Sequence, residues 1–141
     1  MDEKKYAGYQ EIDHTADLEI RVWGDDLETL FEQAALGMKD LIGYDEVDHE
    51  VSPEERVLVV EAIDREGLLV SLLSELLFLL ENQHLGLMEI EVELEGDQRC
   101  RAGVECLPVV SYIREIKAVT YHNLAITRTA QGWTANLVFD I

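Results

Sequence analysis

The stretch Leu68–Leu80 constrains this chain more than any other. Leucines stand at 68, 69, 72, 73, 76, 77, 79 and 80, and the polar interruptions are Ser71, Ser74 and Glu75. Asp64 is placed to cap a helix that runs to about Asn82. A helix with so narrow a polar stripe cannot lie on a surface. It needs cover on most sides, from a sheet and from a second helix. It is also too short to span a bilayer.

The second helix is supplied earlier in the chain. Leu27, Leu30, Phe31, Ala34, Ala35, Met38, Leu41 and Ile42 recur at helical spacing, and Gly43 follows where a left-handed terminator belongs. Asp25 stands three residues before Glu28 and is the expected N-cap. Before this helix, Leu18, Ile20 and Val22 alternate with Glu19, Arg21 and Trp23, the pattern of a half-buried strand ended by Gly24. After it, Tyr44 to about Glu54 reads as an acidic loop. The Val-rich run Arg56–Ala62 reads as a strand.

Two further strands carry their own register. Ile90, Val92 and Leu94 alternate with Glu89, Glu91, Glu93 and Glu95; Cys100, Ala102 and Val104 alternate with Arg99, Arg101 and Glu105. A three-residue loop at 96–98 pairs Glu95 with Arg99 and Glu93 with Arg101, and sets Leu94 beside Cys100. A two-residue loop would oppose apolar and charged residues. The glutamate row then reads as a solvated sheet face. Cys100 and Cys106 would lie about 20 Å apart along one straight strand, out of disulfide reach, and read as reduced core residues. Extended segments at 116–121, 124–129 and 133–141 complete the chain. Trp133, Ala135, Leu137 and Phe139 share one face, which Ile141 continues, as a docked terminus would. The expected fold is α+β: a single domain with a mixed or antiparallel sheet and two helices packed on one face. Residues 1–8 are expected to form a flexible tail and 9–141 the domain.

Charge limits the function. The 141 residues carry a formal net charge of −19. That sign repels nucleic acid phosphates, so no direct nucleic acid binding is expected, and it favours basic protein surfaces and divalent cations. Solubility alone also accounts for it. The polar N-terminus lacks a signal peptide's apolar core, so a cytoplasmic protein is expected, without membrane attachment.

The segment Asp13-His14-Thr15-Ala16-Asp17 holds two carboxylates and an imidazole between extended segments. In a straight strand the carboxylates would be about 13 Å apart, too far to share an ion; in a bent loop either could meet a third. A turn in which Asp13 or Thr15 bonds the backbone is the simpler alternative. Asp140 and the α-carboxylate of Ile141 form a second source of hard oxygen ligands. The four histidines make no zinc spacing. His14 can orient a carboxylate, and His122 reads as structural. Lys117 would lower the pKa of nearby acids and could contact a phosphate; a solvated lysine is the alternative. The chain has no Gly-rich phosphate loop, nucleophile elbow or Cys/His pair.

These residues resemble the archease family. The match runs from Asp13–Asp17 through Val22-Trp23-Gly24-Asp25, the Leu68–Leu80 helix and Ile116-Lys117-Ala118-Val119-Thr120-Tyr121-His122 to the ending Phe139-Asp140-Ile141. The resemblance implies an accessory protein without independent catalysis. Such a protein activates a tRNA-splicing RNA ligase that joins a 3′-phosphate or 2′,3′-cyclic phosphate end to a 5′-hydroxyl end, promoting ligase guanylylation and turnover. It implies a divalent metal held by Asp17, Asp140 and Ile141, with Ca²⁺ a stand-in for Mn²⁺ or Mg²⁺. It implicates Lys117 in activation and places Asp13 and His14 beside the site. A chaperone-like interaction module and a metal-dependent phosphoester hydrolase are the alternatives.

Overall fold

The computed structural model describes residues 6–12 and 18–141. The motif residues Asp13, His14 and Asp17 lie outside the described residues. Among the described residues two helices and nine strands occur in the order β1 (Ala7–Ile12), β2 (Leu18–Gly24), α1 (Leu27–Ile42), β3 (Tyr44–Val47), β4 (Glu54–Glu61), α2 (Arg65–Gln83), β5 (Leu85–Glu95), β6 (Arg99–Tyr112), β7 (Ala118–Val119), β8 (Thr127–Arg128) and β9 (Trp133–Asp140). All strand pairings are antiparallel, and the expected α+β class holds.

The strands divide into two sheets. In the first, β2 lies between β1 and β9, and β7 and β8 pair with β9. In the second, β6 is central. Both β5 and β4 pair along its first half, and β3 pairs with its end. The β5–β6 hairpin has the register its alternation predicts: Glu95 opposite Arg99, Leu94 opposite Cys100, Glu93 opposite Arg101. Gly96 begins its loop at φ 69°, a left-handed conformation that suits glycine. Both cysteines are buried and free. Burial, with the Glu28 charge adding, pushes the Cys100 thiol up to about 11, so it stays protonated and inert.

Helix α2 has the cover its leucines require. From Gly67 to Leu80 every residue is buried except Ser71, Ser74, Glu75 and Phe78. Each helix packs against both sheets: α1 on β1, β2, β9 and β5, and α2 on β4, β5, β6 and β7. Asp64 caps α2, its carboxylate accepting from the Gly67 N–H at 2.7 Å. Gly43 ends α1 at φ 69°, its N–H donating to the Lys39 carbonyl.

Four local expectations need correction. Asp26, not Asp25, caps α1: its carboxylate accepts from the Thr29 N–H at 2.7 Å and its carbonyl takes the helix's first backbone bond, from Leu30. The acidic loop begins with strand β3, because β6 runs on to Tyr112 and offers it an edge. There Tyr44 turns inward, and its hydroxyl accepts from the Leu87 N–H at 2.9 Å. Ala7 and Gly8, assigned to the tail, already pair with Gly24 and Trp23 in β1. Ile141 is 46% exposed, so the inward alternation of β9 ends at the fully buried Phe139.

The helices also serve the strands through hydrogen bonds. Glu32 and Glu28, one turn apart on α1, accept from the Val92 and Leu94 N–H groups of β5 at 2.8 and 3.4 Å. Glu66 of α2 likewise accepts from the Ile126 N–H at 3.0 Å. Glu32 and Glu28 satisfy donors that the edge strand β5 would otherwise leave open, and Glu66 does the same for a loop donor ahead of β8. Burial raises the Glu32 pKa, the Val92 N–H opposes that rise, and the Asp26, Glu91 and Glu28 charges add to it.

Two predictions follow from this packing. Leu72, fully buried in α2, is expected to cost about 2–5 kcal/mol as Leu72→Ala. Urea unfolding should show a lower midpoint with an unchanged slope. For Glu32 the folded state holds the proton more tightly than the unfolded state, so its contribution to stability falls as pH rises from the ordinary carboxylate range through the raised pKa. Glu32→Gln keeps an acceptor for Val92 and removes the titration. Its stability relative to the parent should therefore improve as pH rises through that window; a difference independent of pH would contradict the assignment.

Candidate functional site

The candidate site is the end of β9 and what pairing brings beside it. Phe139 sits opposite Leu18 on one edge and Val119 on the other, and Asp140 sits opposite Ala118. The Lys117 N–H donates to the Asp140 carbonyl at 2.8 Å. Val138 is held in turn by Thr120, whose N–H and hydroxyl both donate to its carbonyl, at 3.0 and 2.9 Å. The last turn of chain is therefore anchored by a buried ring at Phe139 and by pairing at Asp140, while Asp140 and Ile141 themselves are exposed.

Of the residues the sequence singles out, Lys117 and Asp140 are brought together through the backbone, and both are exposed. Ile141 follows directly. The start of β2, Leu18, lies across from Phe139, so the described chain resumes after the Asp13–Asp17 motif next to this terminus. Among the described residues no three His, Cys, Asp or Glu side chains stand close enough to hold a metal ion. The donors present at the tip are the Asp140 carboxylate and the backbone oxygen of Ile141. Both are hard oxygens, the ligand type that Ca²⁺, Mg²⁺ and Mn²⁺ take.

A polar hollow of about 300 Å³ opens on the same face of β9, lined by Glu19, His122, Asn123, Thr134, Asn136 and Val138 among others. The Asn136 amide donates to the Glu19 carboxylate at 3.0 Å, and Arg21 donates to Asn136 at 3.4 Å. His122 is exposed. Its ring stands 3.2 Å from the Asn123 amide, and its backbone N–H donates to the Thr120 hydroxyl at 3.2 Å. Asn123 holds the turn at φ 52°. Sequence reasoning missed Glu19 and Asn136 as neighbours. The outward alternation of each strand was legible, but the β2–β9 pairing that joins them spans most of the chain.

Comparison with known proteins agrees with this fold. The model of the Archease protein family (MTH1598/TM1083) matches residues 9–141. The chain is similar to the protein archease of Methanosarcina mazei, 39% identical with 94% of this chain and 95% of that one covered. It is also similar to the protein archease of Thermococcus gammatolerans, 36% identical with 94% and 98% covered. Among solved structures, Methanobacterium thermoautotrophicum protein 1598 superposes with a TM-score of 0.69 at 25% identity, covering 95% of this chain and 99% of that one. A Thermotoga maritima protein, described as an archease and possible chaperone, shares the fold with a TM-score of 0.66 at 21% identity, covering 94% and 96%. The β2–β9 tip is thus built on a family scaffold: the chain belongs to the archease family.

Proposed function

We propose that this protein is an accessory factor, without catalysis of its own, that activates a tRNA-splicing RNA ligase joining 3′-phosphate or 2′,3′-cyclic phosphate ends to 5′-hydroxyl ends. The observation that supports it most is the register that sets Leu18 opposite Phe139 and ties Lys117 to Asp140. Because Leu18 lies opposite Phe139, Asp17, which precedes it in the sequence, is the motif carboxylate chosen to join Asp140. Asp17, Asp140 and Ile141 would hold a divalent ion, which when bound would supply positive charge for nucleotidyl transfer on the ligase. Asp13 and His14 would flank it.

The roles of the chain's own groups follow from their chemistry. Asp140 is fixed by backbone pairing, so its carboxylate is presented without a large ordering cost. Lys117 beside it carries a cation to meet a phosphate or an acidic partner group. The net charge of −19 draws the tip toward a basic protein cleft and away from bare RNA. No helix among the described residues is long and apolar enough to cross a membrane. A cytoplasmic location fits the two unpaired, buried cysteines.

A chaperone-like module is the second reading, favoured by the description of the Thermotoga relative. A reconstituted ligation assay with limiting ligase separates the two. Addition of this protein should raise the number of turnovers. Asp140→Ala should remove at least about 90% of that stimulation, an effect of the size seen when a ligand-orienting group is lost, and Lys117→Ala should lower it, with melting temperature and circular dichroism unchanged. Full stimulation by Asp140→Ala would remove the metal tip from the account. Protection of unrelated aggregating clients, unaffected by Asp140→Ala, would favour the chaperone.

A further inference from the structure

Among the described residues no element packs on the outward face of the second sheet, and the charge of that face is unevenly balanced. At one end the register sets Glu61, Arg99 and Glu95 side by side, and Arg99 is paired to both carboxylates, at 3.0 and 3.6 Å. At the other end Glu55, Glu105 and Glu89 stand in one row across β4, β6 and β5, with Glu91 in the next row. Among the described residues no ion pair reaches Glu55, Glu89 or Glu105. Like charges directly opposite on neighbouring strands repel. The Glu105 pKa is raised, first by a hydrogen bond with Glu89, then by burial and by the Glu89 and Glu55 charges.

Beside this row Val57 and Val59 give the face an apolar strip with a gap at Gly103, and Arg101 and Glu93 stand opposite each other in the row beyond. Gly103 lies between Val57 and Glu91. Val57 and Val59 are 55% and 44% exposed, and a Cβ at Gly103 would meet nothing within 4 Å. Two hollows, of about 510 and 480 Å³, share Val57, Glu91 and Gly103 in their walls.

This shape selects its occupant. The carboxylates are not gathered closely enough for a metal ion among the described residues. The sign of the row rejects a phosphate. An apolar floor leading to a line of carboxylates fits a long side chain with an aliphatic stem and a broad, planar cationic head, which is arginine. We propose that this face docks an arginine-bearing basic segment of a partner protein, its stem over Val57 and Gly103 and its guanidinium among Glu55, Glu89 and Glu105. The assignment goes beyond the ligase reading and does not rest on it, because it concerns a different face from the β9 tip and any partner with such a segment would satisfy it.

The test is a titration of the full chain with a fluorescein-labelled Ala-Arg-Ala-Arg-Ala peptide and its citrulline counterpart. It is made at about 0.15 M ionic strength, where long-range surface attraction is largely screened. Gly103→Val fills the gap at unchanged charge and suits a strand. The pair Glu89→Gln and Glu105→Gln removes the row while relieving repulsion, so both variants keep the fold. The pair Glu75→Gln and Glu81→Gln removes the same charge from exposed positions on α2. The arginine peptide should bind and the citrulline peptide should not. Gly103→Val and the sheet pair should each weaken binding by about tenfold or more, and the helix pair by less than about twofold. Unchanged binding in either sheet variant, equal weakening by the helix pair, or equal binding of the citrulline peptide would overturn the proposal.

Discussion

Pairing of β2 with β9 is the constraint on which the rest of the structure depends. It runs from Leu18 opposite Phe139 to Gly24 opposite Trp133 and joins the first part of the chain to its last residues. Its inward side chains, Ile20, Val22, Ala135, Leu137 and Phe139, are buried, so a slip of one residue would turn that apolar set to water. Burial thus fixes the register, and the register fixes which polar groups share the outer face. Asp140 is exposed at the tip because Phe139 is locked beneath it.

The two helices hold this arrangement against the second sheet by two kinds of interaction. Leucines of α2 fill the shared core, which is why that helix can be apolar on nearly every side. Glutamates do the finer work, with Glu28 and Glu32 reaching backbone N–H groups of β5 and Glu66 that of Ile126 in the loop before β8. Part of the acidity of this chain is therefore structural. Other acidic groups are exposed, among them Asp140 at the β9 tip and the glutamates on the outer face of the second sheet.

Much of the fold was legible because it is local. The α1 stripe, its Gly43 terminator, the Asp64 cap and the Gly96 hairpin register each follow from residues within a few positions of one another. What stayed hidden is long-range. Strand β3 exists because β6, far along the chain, offers it an edge, and nothing in Tyr44–Val47 itself announces that. The choice of Asp26 over Asp25 as the cap turns on which carbonyl accepts the first helical bond, and neighbouring aspartates offer the same chemistry. At the site, the sequence marked Asp140 and Lys117 as candidates, yet their adjacency through Lys117 N–H to Asp140 C=O is a tertiary fact. Asp13, His14 and Asp17 are known here through their motif alone. The split into two sheets, each touched by both helices, likewise needed the fold.

The central claim is that oxygens from both ends of the chain gather on one divalent ion. Titration of the ¹⁵N-labelled protein with Mn²⁺ tests it most directly, because a paramagnetic ion broadens the amides nearest to it. The account predicts that the amides around Asp17 and those around Asp140 and Ile141 broaden together at the lowest metal additions, and that Asp140→Asn abolishes both effects at once. Broadening confined to one end, or broadening near Asp17 that survives Asp140→Asn, would contradict it.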